Sequence, residues 1–265
     1  MPDDMLSKKF NMTVEENIFV AKRNIVDYIW KSARLEGIAV TFPETKEIFE
    51  GLSVSGIKVD DVIAINNLKR AWEFVFDNID ASVDFRFISQ IHKIIGGDSL
   101  IINAGFVRTI PVSIGGTSWI PELPIESKIQ EELNDLMSIE EPTERSIMLM
   151  LYIMRKQMFL DGNKRTAQLA ANAEMIKNGC GIISIPIECQ LDFTKLLISF
   201  YETNNPNVIL KFVYDNCISG INFEKTIDNT EKIPLQKQLD DAAVKADAHN
   251  KSHGIDAVGS LDEPT

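Results

Sequence analysis

The stretch Gln157-Met158-Phe159-Leu160-Asp161-Gly162-Asn163-Lys164-Arg165-Thr166-Ala167 decides the reading of this chain. The run before it, Thr143 to Met158, is apolar on nearly every side, the pattern of a helix at the centre of a bundle. Asp161-Gly162-Asn163 breaks that run. A second helix is expected from Lys164 to Lys177, ended by Asn178-Gly179. A helix start offers unpaired backbone N–H groups and a partial positive charge. Gly162 lets the backbone approach a ligand closely. Lys164 and Arg165 place cations in the first turn, where they oppose the helix dipole unless an anion sits there. Asp161, on the same turn, has the chemistry to hold a divalent cation that bridges phosphates. The residues therefore spell a magnesium–phosphate site. The plain alternative is an ordinary Asp-Gly-Asn turn.

Outward from this stretch the pattern is mostly helical. Helices are expected over Val14 to Leu35, stopped by Gly37, and over Pro43 to Gly51. Others follow over Asp60 to Phe76 and over Phe85 to Ile95, closed by Gly96-Gly97. Ala104 to Trp119 alternates and carries Gly105 and Gly115-Gly116, which suggests a β-hairpin or extended flap. Pro121 and Pro124 close the flap and lead into a helix over Ile125 to Met137. A short β-like run, Gly181 to Ile187, precedes helices near Asp192 to Tyr201 and Val208 to Cys217. Beyond Phe223 the apolar residues thin out. That end reads as a solvated tail with a weak helix around 240–248.

The 265 residues carry a formal net charge of -12, which disfavours nucleic acid as a partner. The cysteines, Cys180, Cys189 and Cys217, match no zinc spacing and read as reduced thiols. The start, Met1-Pro2-Asp3-Asp4, lacks the pattern of a signal peptide. No apolar run is long enough to span a bilayer. The expectation is a cytoplasmic protein without a membrane partner.

Phe159, Asp161, Gly162, Asn163, Lys164 and Arg165 match, position by position, the Fic/Doc motif H-x-F-x-[D/E]-G-N-[G/K]-R. The chain resembles that family over roughly residues 60–220. The resemblance implies an all-α, Fic-type helical bundle with a β-hairpin flap. It divides the chain into an N-terminal helical region (1–59), a Fic core (60–222) and a polar tail (223–265). It further implies ATP and Mg as ligands, with Phe159, Gly162, Asn163, Lys164, Arg165 and Gln168 at the nucleotide and Asp161 at the metal. The activity implied is transfer of AMP to a hydroxyl side chain of an unidentified target protein. Gly105-Phe106-Val107-Arg108 resembles the flap that clamps a target by strand addition, with Gly105 and Arg108 as its residues. Ser32-Ala33-Arg34-Leu35-Glu36-Gly37 resembles the family's inhibitory motif [S/T]-x-x-x-E-[G/N]. Its glutamate, here Glu36, enters the nucleotide site in relatives and displaces the γ-phosphate; Ser32 and Gly37 frame it.

Two positions depart from the family. Gln157 stands where the family has its catalytic histidine, and an amide has no useful basicity near neutral pH. Gln168 stands where many AMP-transferring relatives have an arginine, so Glu36 lacks its usual ion-pair partner, with a neutral hydrogen bond to Gln168 still open to it. His92 reads as a structural helix residue, and His249 and His253 fall in the tail. Tyr201-Glu202-Thr203-Asn204 is open as a lining of the nucleotide end. Three readings stay open: an AMP transferase in which Gln157 positions the hydroxyl and Arg165 stabilises phosphate charge; a catalytically silent nucleotide-binding or interaction protein; and a Doc-like phosphotransferase, favoured by Lys164 and Gln168.

Overall fold

A computed structural model describes residues 6–97 and 99–222. The expected tail, with its weak helix near 240–248, lies outside the described residues. The described residues up to Gly220 form one compact unit.

The described residues form ten α-helices and one short two-stranded ladder. The expected first helix is divided in two, α1 (Val14–Arg23) and α2 (Ile25–Leu35). Asn24 sits between them at φ -107 and ψ 12, with its side-chain amide donating to the Val20 carbonyl at 3.0 Å. Such a local bond competes with helix propagation, which periodicity alone does not reveal. The chain continues through α3 (Phe42–Phe49), α4 (Val59–Asp77), α5 (Phe85–Gly96), α6 (Glu126–Met137) and α7 (Pro142–Lys156). After the motif come α8 (Asn163–Lys177), β1 (Ile182–Ile183), a 3-10 turn (Ile187–Cys189), α9 (Gln190–Thr203), α10 (Asn207–Asn216) and β2 (Ile218–Ser219). The strands pair antiparallel, Ile182 with Ser219 and Ile183 with Ile218.

α8 is the axis of the bundle. It packs against α7, α5, α4, α1 and β1, and 13 of its 15 residues are buried. Ala167, Ala170, Ala171 and Ala173 keep its surface narrow, so neighbouring helices approach closely. Two of its buried polar side chains, Asn172 and Glu174, are matched. Asn172 exchanges two hydrogen bonds with the Ile183 backbone, at 2.8 and 2.7 Å. Glu174 pairs with Arg145 of α7 at 2.6 Å. α7, expected to be the central helix, is its buried partner: Leu149, Met150, Leu151, Ile153 and Met154 are all closed to solvent.

Between α5 and α6 the expected flap is extended and contains no strand ladder. Arg108 gives the reason. Its buried guanidinium donates hydrogen bonds to the carbonyls of Ile110 (2.8 Å), Pro121 (3.3 Å) and Glu122 (2.6 Å), drawing in acceptors a ladder would use. Pro111 and Pro121 have no N–H to donate. The flap is instead pinned at its far end. Trp119 stacks on Tyr201 of α9 at 5.6 Å, Arg155 lies 4.7 Å from the Trp119 ring, and the Thr117 hydroxyl donates to Glu202 at 2.7 Å.

Candidate nucleotide site at the start of helix α8

Gly162 opens α8 in the left-handed region, φ 73, and no side chain caps the helix there. The backbone N–H groups of Asn163, Lys164 and Arg165 therefore point out of the helix end. A Cβ on Gly162 would lie 2.8 Å from Ile101 Cδ1, so the turn is crowded as well as left-handed. Asn163 braces the turn from inside: its side chain accepts from Phe159 N at 3.0 Å and donates to Phe159 O at 2.9 Å. Phe159 is fully buried beneath it.

Glu36, at the end of α2, meets this turn. Its carboxylate lies 3.4 Å from Lys164 Nζ and 4.0 Å from Arg165 Nε. Glu36 Oε1 and Arg165 Nε are both buried and without a hydrogen-bond partner among the described residues. Gln168 does not reach Glu36; its amide donates to Lys164 O at 3.3 Å. The expected glutamate therefore arrives at the helix start, and the cations that receive it are Lys164 and Arg165. Ser32 is buried one turn earlier, and Gly37 follows at φ 81, ending α2 so that Glu36 can turn inward.

Asp161 has a largely exposed side chain, 69%. One carboxylate oxygen accepts from Gly162 N at 2.6 Å and the other lies 3.5 Å from Arg165 Nη2. No cluster of three or more His, Cys, Asp or Glu exists among the described residues. A divalent cation at Asp161 would therefore draw most of its ligands from a bound phosphate group and water, the usual habit of magnesium. The exposed carboxylate, the uncapped helix start and Arg165 Nε, without a hydrogen-bond partner among the described residues, fit such a ligand.

Gln157 caps α7 in the left-handed region, φ 47. Its amide nitrogen donates to Met154 O at 2.6 Å and its oxygen accepts from Asn163 Nδ2 at 3.2 Å. Tyr201 lies against the same carboxamide; burial, and then Glu36, push its hydroxyl pKa up, so it stays a neutral phenol. Of the expected lining at 201–204, Tyr201 is at the site, while Glu202 holds the flap through Thr117.

His92 joins the site, and the sequence reading missed this. Its Nδ1 accepts from Gly105 N at 2.7 Å, its Nε2 bonds the Asp161 carbonyl at 2.8 Å, and its ring stacks on Phe159 at 3.8 Å. Burial pushes its pKa down to about 4. The signal was weak: His92 adjoins the stripe Phe87, Ile88, Ile91 and Ile95, all buried on α5. Arg108, expected on the target flap, faces inward and donates to Gln157 O at 2.6 Å. The flap turns several large apolar side chains outward: Phe106, Ile110, Ile120 and Leu123 are all exposed.

The central helix of the bundle thus begins at a glycine turn lined by two cations, with the Glu36 carboxylate seated beside them, where a helix start has the chemistry to take an anion. Residues 82–175 match the Fic/DOC family, so the chain contains a Fic/DOC family domain. Protein adenylyltransferase fic-1 of Caenorhabditis elegans is 25% identical over 177 residues, covering 63% of this chain and 34% of the relative. Protein adenylyltransferase Fic of Drosophila melanogaster is 24% identical over 251 residues, covering 91% of this chain and 50% of the relative. The chain thus spans between a third and a half of the length of these curated relatives. Among solved structures, Fic-1 (residues 134–508) of C. elegans superposes with a TM-score of 0.65 at 17% identity, covering 88% of this chain and 66% of that one. A Fic domain containing signalling protein of Bacteroides thetaiotaomicron gives a TM-score of 0.64 at 19% identity, covering 90% and 91%. The fold is therefore the Fic fold.

Proposed function

We propose that this protein binds Mg-ATP at the start of α8 and transfers AMP to a hydroxyl side chain of a target protein, slowly, with Glu36 as an internal competitor for the phosphate seat. The observation that carries the reading is the uncapped helix start with its buried Arg165 Nε, which has no hydrogen-bond partner among the described residues. The names of the relatives, protein adenylyltransferases, support the reaction type. Phosphate oxygens would take the outward N–H groups of the first turn, and Lys164 and Arg165 would offset charge developing there. Magnesium at Asp161 would neutralise phosphate charge and polarise the phosphorus. The target oxygen bonds the α-phosphorus as pyrophosphate departs, and the hydroxyl proton goes to solvent because Gln157 cannot accept it. A missing general base costs about two to four orders of magnitude in rate. The exposed apolar side chains Phe106, Ile110, Ile120 and Leu123 support the flap as the place where the target segment lies. We place the protein in the cytoplasm; among the described residues, no helix is long and apolar enough to cross a membrane.

The second reading is a silent nucleotide binder. It is favoured by the Gln157 carboxamide, whose nitrogen and oxygen are both committed to Met154 O and Asn163. ATP labelled on the α- or the γ-phosphate, given to Glu36→Gly protein with a bacterial lysate, separates the readings. The AMP-transfer reading expects α-label on protein, rising about a hundredfold or more when Gln157→His is added. γ-Label alone would replace it with phosphotransfer. Transfer only after Gln157→His would favour the silent binder.

A further inference from the structure

We propose that His92 is a positioning residue that ties the flap to the α8 turn, so that a nucleotide at the turn and a target segment on the flap act on each other through one imidazole. The inference rests on the nucleotide reading of that turn. His92 is fully buried on α5 and belongs to neither element it joins. Gly105 N–H points at Nδ1 from 2.7 Å, so Nδ1 is the acceptor. The ring proton therefore sits on Nε2 and is donated to the Asp161 carbonyl at 2.8 Å. The tautomer is fixed by its neighbours, and both hydrogen bonds go to backbone.

Those two backbone groups stand at decisive places. The Asp161 carbonyl belongs to the Asp161–Gly162 peptide, whose N–H donates to the Asp161 carboxylate at 2.6 Å. Fixing that peptide plane therefore fixes the direction of the carboxylate and of the first amides of α8. Gly105, at φ 87, opens the flap, and three residues on Arg108 N donates to Met158 O at 3.0 Å. A Cβ on Gly105 would lie 3.1 Å from Lys93 Cβ, so the flap is seated closely on α5 beside His92. Phe159, one of the motif residues, is the stacking floor, 3.8 Å from the imidazole and 8° from parallel. A shift of the turn on nucleotide binding would move the Asp161 carbonyl, and the imidazole would carry the displacement to Gly105.

The test uses the full chain in a Glu36→Gly background, which keeps the internal carboxylate from competing. His92→Phe keeps the stack and removes both hydrogen bonds. His92→Gln places an amide N–H where Nε2 was and serves Asp161. His92→Asn places an acceptor where Nδ1 was and serves Gly105. Two readouts are taken: the Mg-ATP dissociation constant by calorimetry, and amide hydrogen exchange at Gly105 to Arg108 with and without saturating Mg-ATP. In the parent, Mg-ATP is expected to change flap exchange by about tenfold, the worth of one buried hydrogen bond. His92→Phe is expected to weaken Mg-ATP by about tenfold and to abolish the flap response at saturation. His92→Gln should recover affinity and leave Gly105 unprotected; His92→Asn should do the reverse. If the Phe protein does not fold, the Gln and Asn pair alone decides. Equal effects of Gln and Asn on both readouts would reduce His92 to a packing residue and overturn the proposal, as would a parent flap that ignores bound Mg-ATP. Failure of the parent to bind Mg-ATP at all would overturn the nucleotide reading and the coupling with it. Gly105 exchange without nucleotide would still show whether the imidazole holds the flap.

Discussion

Glu36 Oε1 and Arg165 Nε face each other at 4.0 Å, both buried and neither hydrogen-bonded among the described residues. The separation is too long for a hydrogen bond and short enough for strong attraction. Each group is thus left with desolvation incompletely repaid, a poor arrangement for stability alone. Glu36→Gly should raise Mg-ATP affinity by roughly tenfold to hundredfold, because the phosphate no longer competes with a carboxylate. Calorimetric titration of both proteins checks this; equal affinities would mean that Glu36 does not occupy the phosphate seat.

Stability should fall on acidification through the titration of His92. Its pKa is pushed down to about 4 in the folded chain, chiefly by burial, against 6.5 in the unfolded chain. The unfolded state therefore binds more protons below about pH 6.5, and stability is lost as pH falls from about 6.5 to 4. The shift corresponds to about 3 kcal/mol at the lower end. Urea unfolding at a series of pH values measures the wild-type slope. His92→Gln, which has no proton to gain there, should lose that part of it.

Arg108→Ala should loosen the flap without unfolding the bundle. The guanidinium gives hydrogen bonds to the carbonyls of Gln157, Ile110, Pro121 and Glu122. Lysine cannot reproduce that fork. A stability loss of about 3 kcal/mol is expected, with protease cleavage appearing first between 104 and 125. Arg108→Lys should behave like the alanine protein. Limited proteolysis followed by mass spectrometry reads both.

Gly162→Ala places a side chain at φ 73, with its Cβ 2.8 Å from Ile101 Cδ1 and 3.5 Å from His92 Nε2. The backbone strain and the crowding together should cost about 2 kcal/mol. The same change tilts the first turn of α8, so Mg-ATP affinity should fall with stability. Gly115→Ala, where a Cβ meets open space on the flap, is the neutral control. Thermal melts and titrations of both proteins make the comparison.

Much of the bundle was legible because helices are written by neighbours in the chain. The apolar spacing of α5, the glycine turn after α7 and the end of α8 at Asn178 all depend on residues within about four positions of each other. The same locality explains the failures. Asn24 divides the first helix through a bond to Val20 that competes with the ladder, and the pattern of apolar residues is blind to it. The flap's alternation left a hairpin and an extended flap both open, and one buried arginine, gathering the carbonyls on which a ladder depends, leaves it extended.

At the site, the division is equally physical. The sequence by itself determined that a glycine opens a helix whose first turn carries Lys164 and Arg165, that a carboxylate precedes it at Asp161, and that Gln157 supplies no base. These are matters of residue type and of i to i+4 spacing. Only the tertiary structure decided that Glu36 meets Lys164 and Arg165 while Gln168 turns back to Lys164 O. Only it brought His92 to Gly105 and Asp161. Those partners are far apart in the chain, and their meeting depends on how α2, α5 and α8 pack, which no local pattern encodes.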